Sequence, residues 1–403
     1  MVKRMCVKGI LIFVLALFLF TPAAMAGEKI KIAFIESLSG PLETYGKQGK
    51  IGFQLGMEYA TNGTMELLGK KIEITNMDSK TQPAEAKQLL INAYKDLDVD
   101  IAVGPTSSAC AMAMLPVAAE FKKLLVVSTA VSEAIVGPKG NKYVYKVSRS
   151  SSHDALAGAI ALVKGKKDVY IATLAQDYAY GHGYVNAFEK AVKAAGGTII
   201  HKEFVPMKTQ DFTAPGLRIV KAFKDAPEGA KKYLVLNWAG KGSPLNKLKS
   251  MQLESKHGIT LSSGGNIIPV LKAYKNKFDG GEGAAYYYYK MHDNEQNKWL
   301  IKKFAEKYND IPDFFHCGGF AAAMAVVEGI KKAGSVETEA MVAAMKGMEF
   351  MTPKGKMKFQ ECDNQALQSM FHFKFKSYPE IDHIVPELIR ELSIEDLPLP
   401  CGR

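Results

Sequence analysis

The 403-residue sequence lacks the short motifs that usually mark an active site. It contains no G-x-S-x-G nucleophile elbow, no G-x-x-x-x-G-K-S/T phosphate-binding loop and no H-E-x-x-H zinc motif. The eight histidines are scattered, so each is explained more simply as a surface or structural residue than as a catalytic base. The sequence therefore predicts a protein that is not an enzyme and that requires no cofactor.

Cysteine is scarce, and its spacing excludes the common metal sites. None of the five cysteines forms a C-x-x-C pair, and His316 beside Cys317 has no second ligand at zinc-binding spacing. We therefore expect no metal site. In an oxidising compartment a disulfide between Cys362 and Cys401 is one candidate, but the four cysteines after residue 26 allow three complete pairings, and the sequence does not choose among them.

No apolar run is long enough to span a bilayer, which takes about 20 residues. The longest run extends from Ile10 to Phe20; three basic residues precede it, and the small-residue site A-M-A at 24–26 follows it. A basic start, a short apolar run and a small-residue site together are typical of a secretory signal peptide. We therefore expect residues 1–26 to be removed on export, which leaves a soluble exported protein.

Acidic residues are in the minority, with 41 against 52 lysines and arginines, which gives a formal net charge of +11. Such an excess of positive charge raises the question of nucleic-acid binding. The lysines, however, are spread over the whole chain, and no basic block interleaved with aromatic residues occurs. We therefore expect a solvated, lysine-rich surface and no nucleic-acid partner.

After residue 26, short apolar or β-branched runs alternate with longer segments of helical periodicity. The short runs predict strands at 29–36, 71–77, 99–103 and 124–127 and, in a second set, at 169–174, 198–204, 233–238 and 259–262. This alternation is typical of α/β proteins with parallel sheets, and the length predicts two or three domains at about 100–200 residues each. Because ligands bind at the carboxyl ends of parallel strands, we expect the site in the loops that follow them.

Five segments at the predicted strand ends form an ordered pattern. They are I-A-F-I-E-S-L-S-G-P-L-E-T-Y-G-K-Q-G from Ile32, V-G-P-T-S-S from Val103, V-S-T-A-V-S from Val127, Q-D-Y-A-Y-G-H-G from Gln176 and, as a weaker match, C-D-N-Q from Cys362. Each segment alone has low specificity. In their order and approximate spacing, however, they resemble the periplasmic solute-binding proteins of the leucine/isoleucine/valine-binding type, over nearly all of the chain after residue 26.

The resemblance implies a fold class and a mode of action. The fold would be α/β, a type I periplasmic binding protein with two doubly wound α/β lobes joined by three hinge crossings and closing on a small ligand. The protein would act as a monomer in the periplasm and deliver its ligand to a membrane ABC permease. Expected crossings near Arg149, Asp279 and Pro353 divide the chain into lobe 1, residues 27–148 with 279–352, and lobe 2, residues 149–278 with 353–403.

The resemblance also assigns the polar part of the binding site. Ser107 and Ser108 lie where a strand gives way to a helix, so their hydroxyls and the amino-terminal amides of the helix can converge on an anion. The match assigns carboxylate binding to Ser108 first and to Ser107 next. Serine is also a common N-cap residue, and both roles can coexist. Ala130 and Ser132 match the second polar loop of the family, where a backbone carbonyl and a hydroxyl or amide hold the polar end of the ligand.

Four aromatic residues complete the expected site. Tyr45 matches an aromatic wall contributed by lobe 1, and Tyr178 or Tyr180 would close over the ligand from lobe 2. Trp238, one of only two tryptophans, follows a predicted strand of lobe 2 and would face the same cleft. Tyrosine suits such a wall because it combines a large apolar area with one polar tip. Ordinary packing is the alternative explanation for each of the three tyrosines.

One departure from the family pattern leaves the ligand open. Amino-acid-binding members carry an acidic residue at the end of a lobe 2 strand, where it pairs with the ligand ammonium, but the corresponding loop here reads S-S-G-G-N from Ser262. A buried ammonium without an anionic partner has a large desolvation cost. Either Asp177 or another acid replaces the missing residue, or the ligand has no α-amino group. Glu282 is close in sequence but is expected to lie in a hinge.

The resemblance therefore predicts a hydrophobic amino acid of the branched-chain type as the ligand. An aromatic or short-chain carboxylate without an α-amino group is the alternative that the missing acid and the aromatic residues favour. A third possibility on the same fold is a ligand-sensing module of a signalling receptor.

Overall fold

Residues 29–240, 242–264 and 266–402 are described by the computed structural model, and the predicted signal peptide at residues 1–26 lies outside them. The strands are β1 (Ile30–Glu36), β2 (Glu66–Leu67), β3 (Lys70–Asp78), β4 (Ile101–Val103), β5 (Leu124–Val127), β6 (Val144–Lys146), β7 (Val169–Gln176), β8 (Thr198–Val205), β9 (Lys231–Asn237), β10 (Ile259–Ser263), β11 (Glu282–Ala285), β12 (Glu349–Thr352), β13 (Gly355–Phe359), β14 (Ala366–Leu367), β15 (Met370–Lys376) and β16 (Val385–Leu392). The helices are α1 (Glu43–Ala60), α2 (Pro83–Lys95), α3 (Ser108–Phe121), α4 (Ser151–Leu162), α5 (Ala179–Ala194), α6 (Thr213–Ala222), α7 (Leu245–Ser250), α8 (Leu253–His257), α9 (Ile268–Tyr274), α10 (Glu295–Tyr308), α11 (Phe314–Ala333) and α12 (Thr338–Met345). Within the described ranges, no helix combines the length and the apolar character that a membrane crossing requires.

The first part of the chain builds a six-stranded sheet in the order β2-β3-β1-β4-β5-β6. The strands from β3 to β6 pair in parallel, and the short β2 pairs antiparallel with β3. Successive residues of β1 are buried on opposite faces, because side chains alternate along a strand. Ile32 and Phe34 pack with α1 and α11, whereas Ala33 and Ile35 pack with α2 and α3. The body built on this sheet between two helical layers is lobe 1.

A second sheet, in the order β10-β9-β7-β8, has four parallel strands. Its central strand β7 alternates in the same way. Ile171 and Ala175 pack with α4 and α5, whereas Ala172 and Leu174 pack with α6 and α7. The body built on this sheet is lobe 2. The predicted α/β architecture with two doubly wound lobes is confirmed.

Two small antiparallel sheets complete the lobes. β11, β15 and β16 form one of them, and Phe373 and Phe375 of β15 join the core of lobe 2. β12, β13 and β14 form the other, and Phe350 and Phe359 join the core of lobe 1. We therefore propose that the second and third crossings follow β11 and β14, which is later in the chain than the crossings expected near residues 279 and 353.

A disulfide holds the end of the chain against lobe 1. It joins Cys362, in the turn after β13, to Cys401, and the Gly402 amide donates to Asp363 at 2.8 Å. Cys110 and Cys317 are buried free thiols, so the described part of the chain contains the candidate Cys362–Cys401 disulfide but none of the three complete pairings. In the described part of the chain, Cys362, Asp363 and Cys401 are also the one group placed closely enough to bind a metal ion, but the disulfide uses both sulfurs.

Buried polar side chains hold the first and third crossings together. Lys146, at the end of β6, is fully buried, and its ammonium donates to the Arg149 carbonyl at 3.0 Å and to Gln365 Oε1 at 2.9 Å. The Gln365 amide in turn donates to the Ser148 carbonyl at 2.8 Å. Burial lowers the pKa of Lys146 to about 7. The chain therefore leaves lobe 1 from a fixed point, which positions Arg149 at the boundary between the lobes.

The carboxylate of Glu36 holds together the loops at the ends of three strands. Glu36 ends β1 and is fully buried; Oε2 accepts from the Thr106 amide at 2.7 Å and from the Ser37 amide at 3.2 Å. Oε1 accepts from the Ser128 hydroxyl at 2.8 Å. Thr106 follows β4 and Ser128 follows β5, so one side chain positions both loops relative to β1. Burial raises the pKa of Glu36 from 4.5 to about 7.

Glycines allow α1 and α11 to pack backbone to backbone. A Cβ on Gly52 of α1 would lie 2.0 Å from the His316 carbonyl oxygen, and one on Gly319 would lie 2.0 Å from the Gly49 carbonyl oxygen. Neither space admits a side chain, because real Cβ atoms do not approach backbone so closely. This contact fixes the first turn of α11, which begins with Phe314 and Phe315 at the boundary between the lobes.

We expect Gly52→Ala to lower the free energy of unfolding by about 1–3 kcal/mol, the usual effect of overpacking a tight contact. Gly49→Ala, one turn earlier on the same helix, is the matched control, since its Cβ would meet Glu36 Oε1 at an ordinary 3.7 Å. The control should gain up to about 1 kcal/mol through helix propensity. Urea unfolding measures both variants, and equal stabilities would contradict the close packing of α1 on α11.

The buried Glu36 makes stability depend on pH. Because its pKa is about 7 in the folded state and near its ordinary 4.5 in the unfolded chain, the native state binds more protons between these values. Stability should therefore fall as pH rises from 4.5 to 7. Glu36→Gln keeps the side chain neutral and should remove roughly 3 kcal/mol of this decline. Urea unfolding of both proteins at pH 4.5, 5.5, 6.5 and 7.5 measures the difference, and parallel profiles would show that folding does not raise the pKa of Glu36.

Candidate functional site

The loops at the carboxyl ends of the two sheets surround a divided cavity. Its first part, chamber A, encloses about 530 Å³ including its opening. Chamber A is lined by Leu42, Tyr45, Thr106, Ser108, Thr129, Val131, Arg149, Tyr178, Tyr180, Trp238, Ala239, Asn266, Phe314 and Phe315. Both lobes contribute to this lining, as a ligand cleft requires.

The second part, chamber B, encloses about 610 Å³ including its opening. It shares Arg149, Tyr180, Trp238, Asn266 and Phe314 with chamber A, so the two chambers adjoin. Its other lining residues include Asp154, Asn237, Ser262, Ser263, Gly283 and Tyr286. Chamber B therefore extends the cleft toward the strand ends of lobe 2.

Five of the eight residues predicted for the site line chamber A, namely Tyr45, Ser108, Tyr178, Tyr180 and Trp238. The other three, Ser107, Ala130 and Ser132, are buried next to lining residues but line neither chamber.

The two adjacent serines at the start of α3 have different environments. Ser107 is the N-cap, and its hydroxyl oxygen accepts from the Cys110 amide at 3.4 Å. Ser108 lines chamber A, and its hydroxyl oxygen accepts from the Ser132 amide at 3.2 Å. That contact uses the oxygen of Ser108 and leaves its hydroxyl proton to be donated. The amino end of α3, where backbone amides lack helical acceptors, therefore meets the chamber at Ser108.

Ala130 and Ser132 hold their loop in place from behind the lining. The Ala130 amide donates to the Pro105 carbonyl at 3.1 Å, and the Ala130 carbonyl accepts from the Ser148 hydroxyl. The Ser132 hydroxyl lies 3.6 Å from where a Cβ on Gly183 would stand, and it lines a separate groove. Between them, Val131 is the residue of this loop that lines chamber A, together with Thr129.

Tyr45 joins the two lobes across the mouth of chamber A. Its ring stacks on Phe315 with 4.4 Å between centroids and 12° between planes. Its hydroxyl oxygen accepts from the Gly240 amide of lobe 2 at 2.8 Å, and burial raises the pKa of Tyr45 to about 12. Gly240 has φ +77°, and a Cβ there would lie 2.7 Å from the Pro41 carbonyl oxygen. The lobes are therefore in direct contact at this point.

Lobe 2 supplies the opposite aromatic wall. The rings of Tyr178 and Tyr180 lie 5.8 Å apart at the start of α5, and Trp238 packs edge-on against Phe212 at 5.3 Å. The Tyr180 hydroxyl oxygen accepts from the Asn237 amide at 2.9 Å. Burial raises the pKa of both tyrosines above their ordinary value, so they remain neutral.

Arg149 is a charged lining residue that sequence reasoning missed, because it is predicted only as a hinge crossing. Its guanidinium lines both chambers and lies over the rings of Phe314 at 4.9 Å and Tyr286 at 5.3 Å. Its Nε donates to Asp154 Oδ1 at 2.6 Å. Burial lowers the pKa of Arg149, but the Asp154 carboxylate outweighs this effect and raises the pKa overall, so the guanidinium stays charged.

Arginine is rare in this sequence, and this rarity could have drawn attention to Arg149. Among the 52 basic residues, the arginines are Arg4, Arg149, Arg218, Arg390 and Arg403. An isolated arginine at an expected hinge is notable in a lysine-rich chain, because a guanidinium suits carboxylate recognition and partial burial better than an ammonium does.

The acids that were considered for an ammonium site lie elsewhere. Asp177 is exposed and bonded to His182 at 2.7 Å. Glu282 faces Lys166 at 3.7 Å and His372 at 3.4 Å, and it lines neither chamber. Asp154, in the first turn of α4, is instead the carboxylate that lines chamber B, where it is paired with Arg149. Arg149 and Asp154 are therefore the charged side chains on the described lining of the cleft.

Comparison with known proteins shows the family of the chain. A family model described as periplasmic binding protein matches residues 29–379. The Leu/Ile/Val-binding protein BraC3 of Rhizobium johnstonii is 26% identical over 379 residues, which is 93% of this chain and 98% of that protein.

Solved structures share the whole architecture. A protein of Rhodopseudomonas palustris described as an ABC-type branched-chain amino acid transporter is 49% identical, with a TM-score of 0.81 over 93% of this chain and 100% of that one. A second R. palustris solute-binding protein, solved with 4-hydroxybenzoate, is 22% identical, with a TM-score of 0.80 over 92% of this chain and 98% of that one, and shows the shared fold. The predicted type I fold is confirmed. The chain therefore belongs to the periplasmic binding protein family, as a substrate-binding component of an ABC transporter.

Proposed function

We propose that this protein captures a small carboxylate, aromatic or short-chain and without an α-amino group, between its two lobes and carries it to a membrane ABC permease. The observation that carries the proposal is the placement of Ser108, the amino end of α3 and Arg149 around chamber A, whose lining includes six aromatic residues. The proposed setting is the periplasm, after removal of residues 1–26.

Two kinds of donor favour a carboxylate in chamber A. The amino end of α3 presents backbone amides and the positive end of the helix dipole, and the Ser108 hydroxyl adds a side-chain donor. The Arg149 guanidinium supplies a full charge and a planar set of N–H groups, which match carboxylate geometry. Partial burial strengthens both interactions because water competes less for the anion.

The aromatic wall suits a flat or branched apolar body. Tyr45 with Phe315 forms one side, and Tyr178 with Trp238 forms another. Aromatic rings favour offset-stacked and edge-to-face contacts with a second ring, which an aromatic acid would supply. The R. palustris protein solved with 4-hydroxybenzoate indicates that this fold can enclose such an acid.

The charge pairing in the cleft disfavours an α-amino group. Asp154 already accepts a charge-assisted hydrogen bond from Arg149 Nε. A ligand ammonium would have to share this carboxylate with the guanidinium, and an ammonium held away from it would have a large desolvation cost. A carboxylate without an amino group leaves the pair intact.

A branched-chain amino acid is the second candidate. It is favoured by the names of the Rhizobium relative and of the 49% identical R. palustris structure. Asp154 is the residue that would serve its ammonium, since it is the acid on the described lining of the cleft.

Asp154→Asn separates the two candidates. The variant keeps an acceptor for Arg149 Nε and removes the negative charge. Benzoate and 4-methylpentanoate, the carbon skeleton of leucine without its amino group, should bind the variant within about 3-fold of wild type or more tightly, because the guanidinium loses its neutralising partner. If leucine is the ligand, its Kd should rise at least about 10-fold with the loss of the anion.

The measurement is titration calorimetry with mature protein that has been unfolded and refolded to remove carried-over ligand. Thermal shifts with each compound report binding independently, since ligand at 100 times its Kd stabilises the native state by about 2.7 kcal/mol. Binding of leucine by wild type but of neither benzoate nor 4-methylpentanoate would reject the proposed ligand class in favour of the second candidate.

Ser108→Ala and Ser107→Ala form a matched pair. Ser108→Ala removes a donor at the carboxylate and should raise the Kd for the acid about 10-fold. Ser107→Ala removes the N-cap acceptor of α3 and should lower the free energy of unfolding by about 1 kcal/mol with little change in Kd. Calorimetry measures the Kd of each variant, and urea unfolding measures its free energy of unfolding. A loss of affinity confined to Ser107→Ala would place the carboxylate elsewhere.

A further inference from the structure

Asn237 carries a buried polar atom for which the lobe 2 fold supplies no partner. It ends β9, is 5% exposed and lines chamber B. Its Nδ2 donates to the Tyr180 hydroxyl at 2.9 Å, but its Oδ1 is enclosed and accepts no hydrogen bond. Among the described residues that line either chamber, it is the one with such an atom. A buried amide oxygen left unpaired is unfavourable, so a partner is expected to reach it.

The serines beside Asn237 already use their protons on backbone carbonyls. The Ser262 hydroxyl donates to the Glu282 carbonyl at 3.3 Å, and the Ser263 hydroxyl donates to the Gly264 carbonyl at 3.4 Å. Both serines lie on β10, which pairs with β9. Ser262, Ser263 and Asp154 all line chamber B, and the two serine protons are already donated elsewhere, so these side chains offer acceptors to a ligand. The chemical group that complements them is a hydrogen-bond donor.

The arrangement of the two chambers would place this hydrogen-bond donor of the ligand away from the ligand carboxylate. Ser108 lines chamber A alone and Asn237 lines chamber B alone, whereas Tyr180 and Trp238 line both. A ligand anchored by its carboxylate at Ser108 and passing between Tyr180 and Trp238 would direct its other end toward Asn237.

We infer that Asn237 is a specificity-determining residue that selects carboxylates bearing a hydroxyl at the end remote from the carboxylate. This inference rests on the proposed function. In the bound complex the hydroxyl donates to Asn237 Oδ1, and the carboxylate remains with Ser108 and Arg149. An acid without the hydroxyl leaves the amide oxygen unpaired and binds more weakly.

Titration calorimetry with benzoate, 4-hydroxybenzoate and 4-methoxybenzoate tests the inference on refolded mature protein. Wild type should bind 4-hydroxybenzoate about 10-fold more tightly than benzoate, because only the former supplies the missing donor. 4-Methoxybenzoate, which has the oxygen but no proton, should show no such gain. Asn237→Ala should bind benzoate within about 3-fold of wild type and lose the preference for the hydroxyl.

Two further variants serve as controls for the Asn237→Ala variant. Asn237→Leu preserves the volume of the side chain and should lose the preference in the same way, which guards against a collapsed site in the alanine variant. Asn266→Ala is the matched control, because Asn266 lines both chambers but its Oδ1 already accepts from the Ile267 amide at 2.9 Å. It should change the affinities for both acids alike and retain the preference.

The outcomes separate this inference from the proposed function. If wild type binds leucine and none of the three aromatic acids, the proposed ligand class is wrong and the role of Asn237 with it. If benzoate and 4-hydroxybenzoate bind equally, or if the preference survives in Asn237→Ala and Asn237→Leu, the ligand class stands and Asn237 is not its selector. A preference for 4-methoxybenzoate over 4-hydroxybenzoate would likewise overturn the inference, since it would require a donor at that position.

Discussion

Glu36 places its carboxylate inside lobe 1, where amides and a hydroxyl from the loops after β1, β4 and β5 surround it. Burying a carboxyl group is unfavourable, and these hydrogen bonds offset part of that cost. The result is that the loop carrying Thr106 and Ser108 and the loop carrying Thr129 and Val131 have one fixed geometry relative to β1. The donors that we propose for the ligand carboxylate are therefore held in place by the fold itself, which would lower the entropic cost of binding.

The geometry of the cleft also depends on lobe 2 and on α11, a helix of lobe 1 that comes late in the chain. The glycine-mediated contact of α1 with α11 brings Phe315 to Tyr45, and the Tyr45 hydroxyl reaches Gly240 of lobe 2. On the other side, the buried Lys146 fixes the point at which the chain leaves lobe 1 and delivers Arg149 to the cleft. Packing inside lobe 1 and contact between the lobes are thus coupled through a few side chains, so ligand binding and lobe closure should be one event.

Strand periodicity predicts the loops at the carboxyl ends of the parallel strands, and with them Trp238, whereas the resemblance to the leucine/isoleucine/valine-binding type assigns Tyr45, Ser108, Tyr178 and Tyr180 to the site. It is harder to predict which of two adjacent loop residues lines the cleft, because their side chains point in different directions. Val131 lines chamber A, for example, whereas Ser132 does not. Phe314 and Phe315 reach the cleft only through tertiary packing of a distant helix, and the pairing of Arg149 with Asp154 depends on how the chain turns into α4. No local pattern encodes these contacts.

The central claim is that a small carboxylate sits between the lobes with its charge at the amino end of α3. A crystal structure of the refolded protein grown with an aromatic carboxylate tests it most directly. We expect the carboxylate within hydrogen-bonding distance of Ser108 Oγ and the Arg149 guanidinium, with the ring against Tyr45 and Trp238 and the lobes in contact at Gly240. A carboxylate bound outside chamber A, or lobes that remain apart around a bound ligand, would contradict it.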